Sequence, residues 1–175
     1  MGAPRLPVGL VAVVKHDCAT CQTVAPVLLE LARRTDLTVY CQDDPEFPAG
    51  LEVTDDTDLA VSWHHSIETV PTLIAVGSDG ERERTVGWSI EQWRRITGLD
   101  DLAGDLDIPS QRPGCGSLSV DPDLIDELRV RHSGSTLRAR RLDLAEMEDE
   151  FEYMHRVGWS DGLPLVPPTE SRVLA

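Results

Sequence analysis

The feature that most constrains this chain is a pair of cysteines, Cys18-Ala19-Thr20-Cys21, placed directly after an apolar run. Residues 7–14 are almost wholly apolar and rich in valine, with polar residues following from Lys15 to Asp17. A run of this kind suits a strand buried on both faces of a sheet. From Cys18 to Thr35 the period changes. Val24, Val27, Leu28, Leu31 and Ala32 recur at helical spacing, and Arg33 and Arg34 lie where cations favour a helix C-terminus. The cysteines therefore open a helix, and Pro26 inside it predicts a kink.

A thiol at a helix start lies over unsatisfied backbone N–H groups and the positive end of the helix dipole, which favour thiolate over thiol. On this reading Cys18 is the attacking sulfur, and Cys21, one turn on, is placed to resolve a mixed disulfide formed at Cys18. Two other readings of the same residues stand beside it. The cysteines could serve as small buried apolar residues. Alternatively His16, Cys18 and Cys21 could ligate a metal, with Cys115 as a fourth ligand, although no second Cys-x-x-Cys or paired His completes a structural zinc site.

Further elements follow in order. Leu37 to Cys41 has strand composition, and residues 42–50, with two prolines and three acids, form a loop. Thr57 to His65 reads as a short helix with Thr57 as its N-cap. His64 and His65 read as a solvent-facing helix end, since adjacent helical residues point in different directions. Val70 to Val76, a turn at 77–80 and Arg82 to Trp88 form a hairpin, and Ser89 caps a helix to Thr97 that Gly98 ends. Strand, helix, strand, helix, strand, strand, helix implies a mixed central sheet with a parallel crossover and an antiparallel hairpin edge, covered by helices. That unit spans residues 1–99. Residues 100–122, dense in Asp, Gly and Pro, read as a linker. The remainder, 123–175, reads as an extension with helices at Asp123–Arg131 and Leu144–Val157 and a Pro-rich tail.

Several of these segments, in order, resemble the thioredoxin family. Residues 18–32, Cys-Ala-Thr-Cys-Gln-Thr-Val-Ala-Pro-Val-Leu-Leu-Glu-Leu-Ala, are similar to its active-site helix, including the proline five residues after the second cysteine. Residues 66–74, Ser-Ile-Glu-Thr-Val-Pro-Thr-Leu-Ile, resemble the segment whose proline is cis and faces the cysteines, and Thr85-Val86-Gly87 with Gln92 resembles the last strand and helix. The likeness covers residues 7–99. It implies a thioredoxin-like α/β fold and a thiol–disulfide oxidoreductase that needs no cofactor beyond its own disulfide. Cys18 would attack and Cys21 resolve. Val70 and Pro71, with Asp17, Ala19 and Thr20 around the pair, would form the surface on which a disulfide-bearing partner lies. Two positions depart from the family: Asp17 stands where a tryptophan is usual, and Ala12 where a buried carboxylate is usual. Asp17 should raise the Cys18 pKa while Lys15 and His16 should lower it, and the sequence leaves the balance open.

The segment Glu152 to Glu170, with Gly158-Trp159-Ser160-Asp161-Gly162-Leu163-Pro164 at its centre, resembles the opening of UGSC-type (seleno)proteins, in which a larger domain follows. This implies either a piece of a longer protein or a tail that docks into a larger subunit through Trp159, Leu163, Leu165 and Val166. An extended proline-rich segment presents such side chains at low ordering cost. A disordered tail is the alternative. Cys115, between two glycines, is expected on an accessible loop, either as an accessory redox thiol or as a surface cysteine of no consequence. Cys41 reads as a core residue.

Charge narrows the partners. With 16 Lys and Arg against 31 Asp and Glu the formal charge is −15, which opposes binding to nucleic acid or anionic lipid. No segment reaches the roughly 18 apolar residues of a membrane span, and four unevenly spaced cysteines do not make a secreted disulfide framework, so a cytoplasmic location is expected. Three functions remain: an oxidoreductase, a non-catalytic interaction subunit anchored by its tail, and a metal-binding module.

Overall fold

The computed structural model describes residues 3–134, 142–145, 147–163 and 165–174; positions 135–141, 146 and 164 of the predicted extension and tail lie outside the described residues. The core is a five-stranded mixed sheet in the order β3-β2-β1-β5-β6. Its strands are β1 (Gly9–Val14), β2 (Leu37–Cys41), β3 (Val53–Asp55), β5 (Thr72–Gly77) and β6 (Gly80–Val86), with the two-residue β4 (Thr69–Val70) leading into β5. β1 runs parallel to β2, which runs parallel to β3, whereas β5 is antiparallel to both β1 and β6.

Val11, Ala12, Val13 and Val14 are all fully buried. Successive strand residues face opposite sides, so β1 is covered on both. The covering helices are α1 (Ala19–Arg34), which buries Val24, Val27, Leu28 and Leu31, and α3 (Ile90–Thr97), which buries Trp93. α3 begins and ends as its sequence predicts: the Ser89 hydroxyl accepts from the Gln92 N–H, and Gly98 takes a left-handed conformation at φ 70°.

The second helix differs from expectation. It is shorter, α2 (Ala60–His64), and its N-terminus is held by Asp56 in place of Thr57. The two Asp56 carboxylate oxygens accept the N–H groups of Val61 and Ser62 at 2.8 and 3.0 Å, and Oδ2 also accepts the Ser62 hydroxyl at 2.5 Å. Leu59 at φ 59° turns the chain between that carboxylate and the helix. His64 packs edge-on against His132, and His65 Nε2 lies 2.8 Å from the Pro4 carbonyl.

The stretch read as a linker is built into this body. Leu102 and Ala103 are buried in the core, with Leu106 and Ile108 packed against it. β7 (Trp88–Ser89) pairs with β8 (Gln111–Arg112), and β9 (Cys115–Gly116) pairs antiparallel with β4. These pairings use backbone groups, which Gly and Pro composition does not reveal. Beyond a turn of 3₁₀ helix at Leu118–Val120 lie α4 (Ile125–His132), α5 (Glu150–Arg156) and α6 (Glu170–Val173). α4 packs beside α2 and α6. Among the described residues no helix is long and apolar enough to cross a membrane.

Candidate functional site

The cysteine pair sits where β1 ends and α1 begins, at the carboxyl ends of the parallel strands, where crossover connections leave a crevice in open α/β sheets. Cys18 is the N-cap of α1, with extended backbone angles of φ −144° and ψ 114°, and its Sγ accepts the Cys21 N–H at 3.4 Å. The sulfur thus takes the place of the oxygen that usually satisfies an orphan amide at a helix start. The Lys15 N–H points at Cys21 Sγ, also at 3.4 Å. Ahead of the pair, one carboxylate fixes the approach of the chain: Asp43 accepts the His16 N–H on Oδ1 and the Asp17 N–H on Oδ2, at 2.6 and 2.9 Å.

Facing the pair is the Val70–Pro71 peptide bond, which is cis, as is Phe47–Pro48. The Cys18 thiol lies 3.6 Å from the Val70 carbonyl oxygen. The edge of Val70 is occupied. Val70 and Cys115 are register partners in the β4–β9 ladder, so the strand that pairs with Val70 brings Cys115 up to Cys18. All four cysteines are free thiols, and three of them, Cys18, Cys21 and Cys115, meet at this one place. Cys41 lies fully buried in the core, its thiol 3.3 Å from Asp43 Oδ1.

The segment carrying Cys115 is fastened at nearly every residue. Arg112 donates to the Thr23 hydroxyl at 2.7 Å, the Thr20 hydroxyl donates to the Pro113 carbonyl at 2.6 Å, and Lys15 Nζ donates to the Gly116 carbonyl at 3.1 Å. Gly114 lies so close to β4 that a Cβ there would stand 2.4 Å from Thr69 Cγ2 and 2.7 Å from the Val70 oxygen. Beyond Gly116 the anchorage is buried. The Gln42 amide donates to the hydroxyls of Ser62 and Ser117 at 2.7 and 2.6 Å and accepts the Leu118 N–H at 3.1 Å, and the Ser119 hydroxyl donates to the Ile67 carbonyl at 2.6 Å. Lys15, the sole lysine, thus has a positional use.

The electrostatics separate the three thiols. Burial works against ionisation of Cys18, but the hydrogen bond from Cys115, with those from Cys21 and the Thr20 backbone, outweighs it, so its pKa falls below the ordinary thiol value. Burial pushes Cys21 far above the ordinary range, and the negative charge of Cys18 adds to this. Cys115 is raised by its own burial and by its hydrogen bond to Cys18. Ionisation is therefore easier at Cys18 than at either neighbouring thiol. The opposing influences that the sequence places at Asp17, Lys15 and His16 do not decide the sign; the donors around Cys18 do.

Other predicted site residues are distributed as follows. Asp17 and Ala19 are exposed beside the pair, whereas Thr20, Val70 and Pro71 are buried. The His16 ring packs edge-on against Phe47 at 5.1 Å, and no three His, Cys, Asp or Glu side chains among the described residues are grouped to hold a metal ion. Trp159, Leu163, Leu165 and Val166 are exposed, and Leu163 and Leu165 line an open groove of about 560 Å³ beside α5. Asp43, Gln42, Ser117 and Arg112 carry no local signal of a role, because each acts across a long sequence separation. Compared with known protein families, curated proteins and solved structures, the chain gives no match.

Proposed function

We propose that this chain is a thioredoxin-like thiol–disulfide oxidoreductase that uses Cys18 as nucleophile and Cys21 as resolving thiol. The observation that carries the reading is the placement of Cys18: N-cap of α1, accepting the Cys21 N–H, and 3.6 Å from the Val70 carbonyl. The parallel β1–α1–β2 crossover, the antiparallel β5–β6 edge and the cis Val70–Pro71 bond support it.

The reaction follows from the thiols. The Cys18 thiolate attacks one sulfur of a partner disulfide, forming a mixed disulfide and expelling the other partner sulfur as a thiolate. Cys21 then loses its proton to the departing sulfur or to water and attacks Cys18 Sγ. The products are the Cys18–Cys21 disulfide and the fully reduced partner, with two electrons transferred. Capping of Cys18 removes the charge that opposes Cys21 ionisation, and the Lys15 N–H stabilises the Cys21 thiolate as it forms. The partner is a disulfide-bearing protein or small molecule, and no cofactor takes part.

A second reading, an interaction subunit docking into a larger UGSC-type assembly, draws support from the exposed Trp159, Leu163 and Val166. The two are separated by equilibrating the protein with graded ratios of reduced and oxidised glutathione and counting thiols by mass. A reversible two-thiol transition, absent in Cys21→Ser, supports the oxidoreductase. Thiols that never form the Cys18–Cys21 disulfide overturn it.

A further inference from the structure

Residues 112–117 cross the cysteine pair as a bound peptide would. Arg112 and Pro113 are tied to Thr23 and Thr20 on α1, Gly114 fits against Thr69 and Val70, Cys115 pairs with Val70, and Gly116 receives Lys15. The side chain this strap delivers to the nucleophile is a thiol, brought there by register with Val70, whose carbonyl oxygen lies 3.6 Å from Cys18 Sγ. Cys18 itself is 2% exposed. The Val70 edge expected to receive a partner backbone is therefore filled by the chain's own cysteine-bearing strand.

We propose that Cys115 is a third exchanging thiol and the strap an internal substrate, so that Cys18 forms either of two mutually exclusive disulfides, Cys18–Cys21 or Cys18–Cys115. The inference rests on the reading of Cys18 as the nucleophile. Cys115 is half-buried, whereas Cys21 is fully buried, so of the two it is the one a base or solvent reaches first. Its own ionisation is opposed in part by the Cys18 charge, which disappears once Cys18 is in a mixed disulfide.

The steps balance as follows. Cys18 thiolate attacks oxidised glutathione, giving the Cys18–glutathione disulfide and one glutathione thiolate. Cys115 gives its proton to that thiolate or to water and attacks Cys18 Sγ, breaking the mixed disulfide, forming Cys18–Cys115 and releasing the second glutathione; the chain has lost two electrons and glutathione has gained them. Cys21 then attacks Cys18 Sγ, forming Cys18–Cys21 and returning Cys115 as a thiol, with no further change in oxidation level. While Cys18–Cys115 persists, the Val70 edge stays closed to any incoming backbone.

The test treats full-length Cys21→Ser and Cys21→Ser/Cys115→Ala with oxidised glutathione and reads adducts by intact mass and linkages by peptide mapping. Cys21→Ser should expel glutathione and yield cross-linked peptides containing Cys18 and Cys115, while the double variant should retain glutathione on Cys18. Retention of the adduct by Cys21→Ser to the same extent as the double variant overturns the third thiol. In the wild-type chain, which needs no substitution to fold, acid quenching at early times should trap Cys18–Cys115 before Cys18–Cys21, and its absence there also counts against the proposal. If the wild type forms Cys18–Cys21 but neither sample contains Cys18–Cys115, only this inference fails. If the double variant takes up no glutathione at Cys18, the nucleophile assignment fails with it.

Discussion

Cys115 stands opposite Val70 in a two-residue ladder, and through that register its thiol reaches Cys18, 97 positions earlier in the chain. The pairing joins a stretch of loop composition to the turn that carries the cis proline.

The first consequence is the pH dependence of Cys18 reactivity. Its thiolate is favoured by the donor from Cys115, so its rate of alkylation by iodoacetamide should reach half its plateau below the pH typical of a free thiol, about 8.5. Cys115→Ala removes the donor, and the midpoint should move upward. Peptide-resolved alkylation across a pH series separates Cys18 from the other cysteines; an unchanged midpoint would assign the low value to the helix terminus alone.

Gln42 holds the strap from below. Its amide meets Ser62, Ser117 and the Leu118 N–H in a buried setting, so Gln42→Ala strips the Leu118 N–H of its acceptor and takes one bond from each hydroxyl, which keep Asp56 and Ser119 as partners. An unsatisfied buried polar group costs about 1–3 kcal/mol. Urea unfolding should show a loss in that range. Native-state alkylation of Cys18 should also speed up as the strap loosens.

Gly114→Ala tests the closeness of the strap more directly. The added Cβ would fall 2.4 Å from Thr69 Cγ2 and 2.7 Å from the Val70 oxygen, and the second of these is backbone that cannot swing aside. The β4–β9 ladder should open. Hydrogen exchange at the amides of Val70, Cys115 and Ser117 should accelerate by at least tenfold while β1 amides stay protected. Protection that survives at Val70 would mean that the strap is not held by this approach.

How far the sequence reveals these features depends on how local their causes are. The buried β1 run, the Ser89 and Gly98 caps of α3 and the Cys-x-x-Cys helix start all arise within a few residues, and each is readable from period and residue type. The sequence points to Thr57 for the α2 start because the group that holds it, Asp56, acts across a left-handed Leu59, a turn that residue type does not announce. The strap has the composition of a linker for a related reason. Gly114 and Pro113 look like flexible punctuation, yet here a glycine is what permits backbone contact with Val70, and a proline carbonyl accepts from Thr20. Long-range backbone pairing leaves no periodic trace in a two-residue strand. The same applies to Gln42, a polar residue whose burial becomes intelligible only once Ser117 is folded against it.

Asp56 offers an acid–base test of the α2 cap. Burial holds its carboxyl above the ordinary range, although its bonds to Ser62 and Val61 pull the other way. The folded state therefore takes up this proton at a higher pH than the unfolded chain, so the contribution of Asp56 to stability grows as pH falls through that interval. Asp56→Ala should cost about 1–2 kcal/mol near neutral pH, where the carboxylate caps α2. The difference between wild type and variant should widen, not narrow, as pH falls from neutral to about 4. Thermal or urea unfolding at several pH values measures it, and a narrowing gap would mean that Asp56 is held as a well-stabilised carboxylate.

The potential of the Cys18–Cys21 couple should respond to Cys115 in a direction that the thiolate argument fixes. A donor to the Cys18 thiolate stabilises the reduced state, which makes the disulfide the stronger oxidant. Loss of that bond in Cys115→Ala, at about 1.5 kcal/mol for a hydrogen bond to a charged group, should lower the potential by about 30 mV. A second effect opposes it: if Cys18–Cys115 is as populated as Cys18–Cys21, its removal reduces the oxidised population twofold and raises the apparent potential by about 9 mV. The first is larger, so the net shift should be toward a more reducing couple, read by equilibration with glutathione at a pH where Cys18 is ionised. A potential that rises in Cys115→Ala would mean that Cys115 acts chiefly as a competing disulfide partner and contributes little to the thiolate.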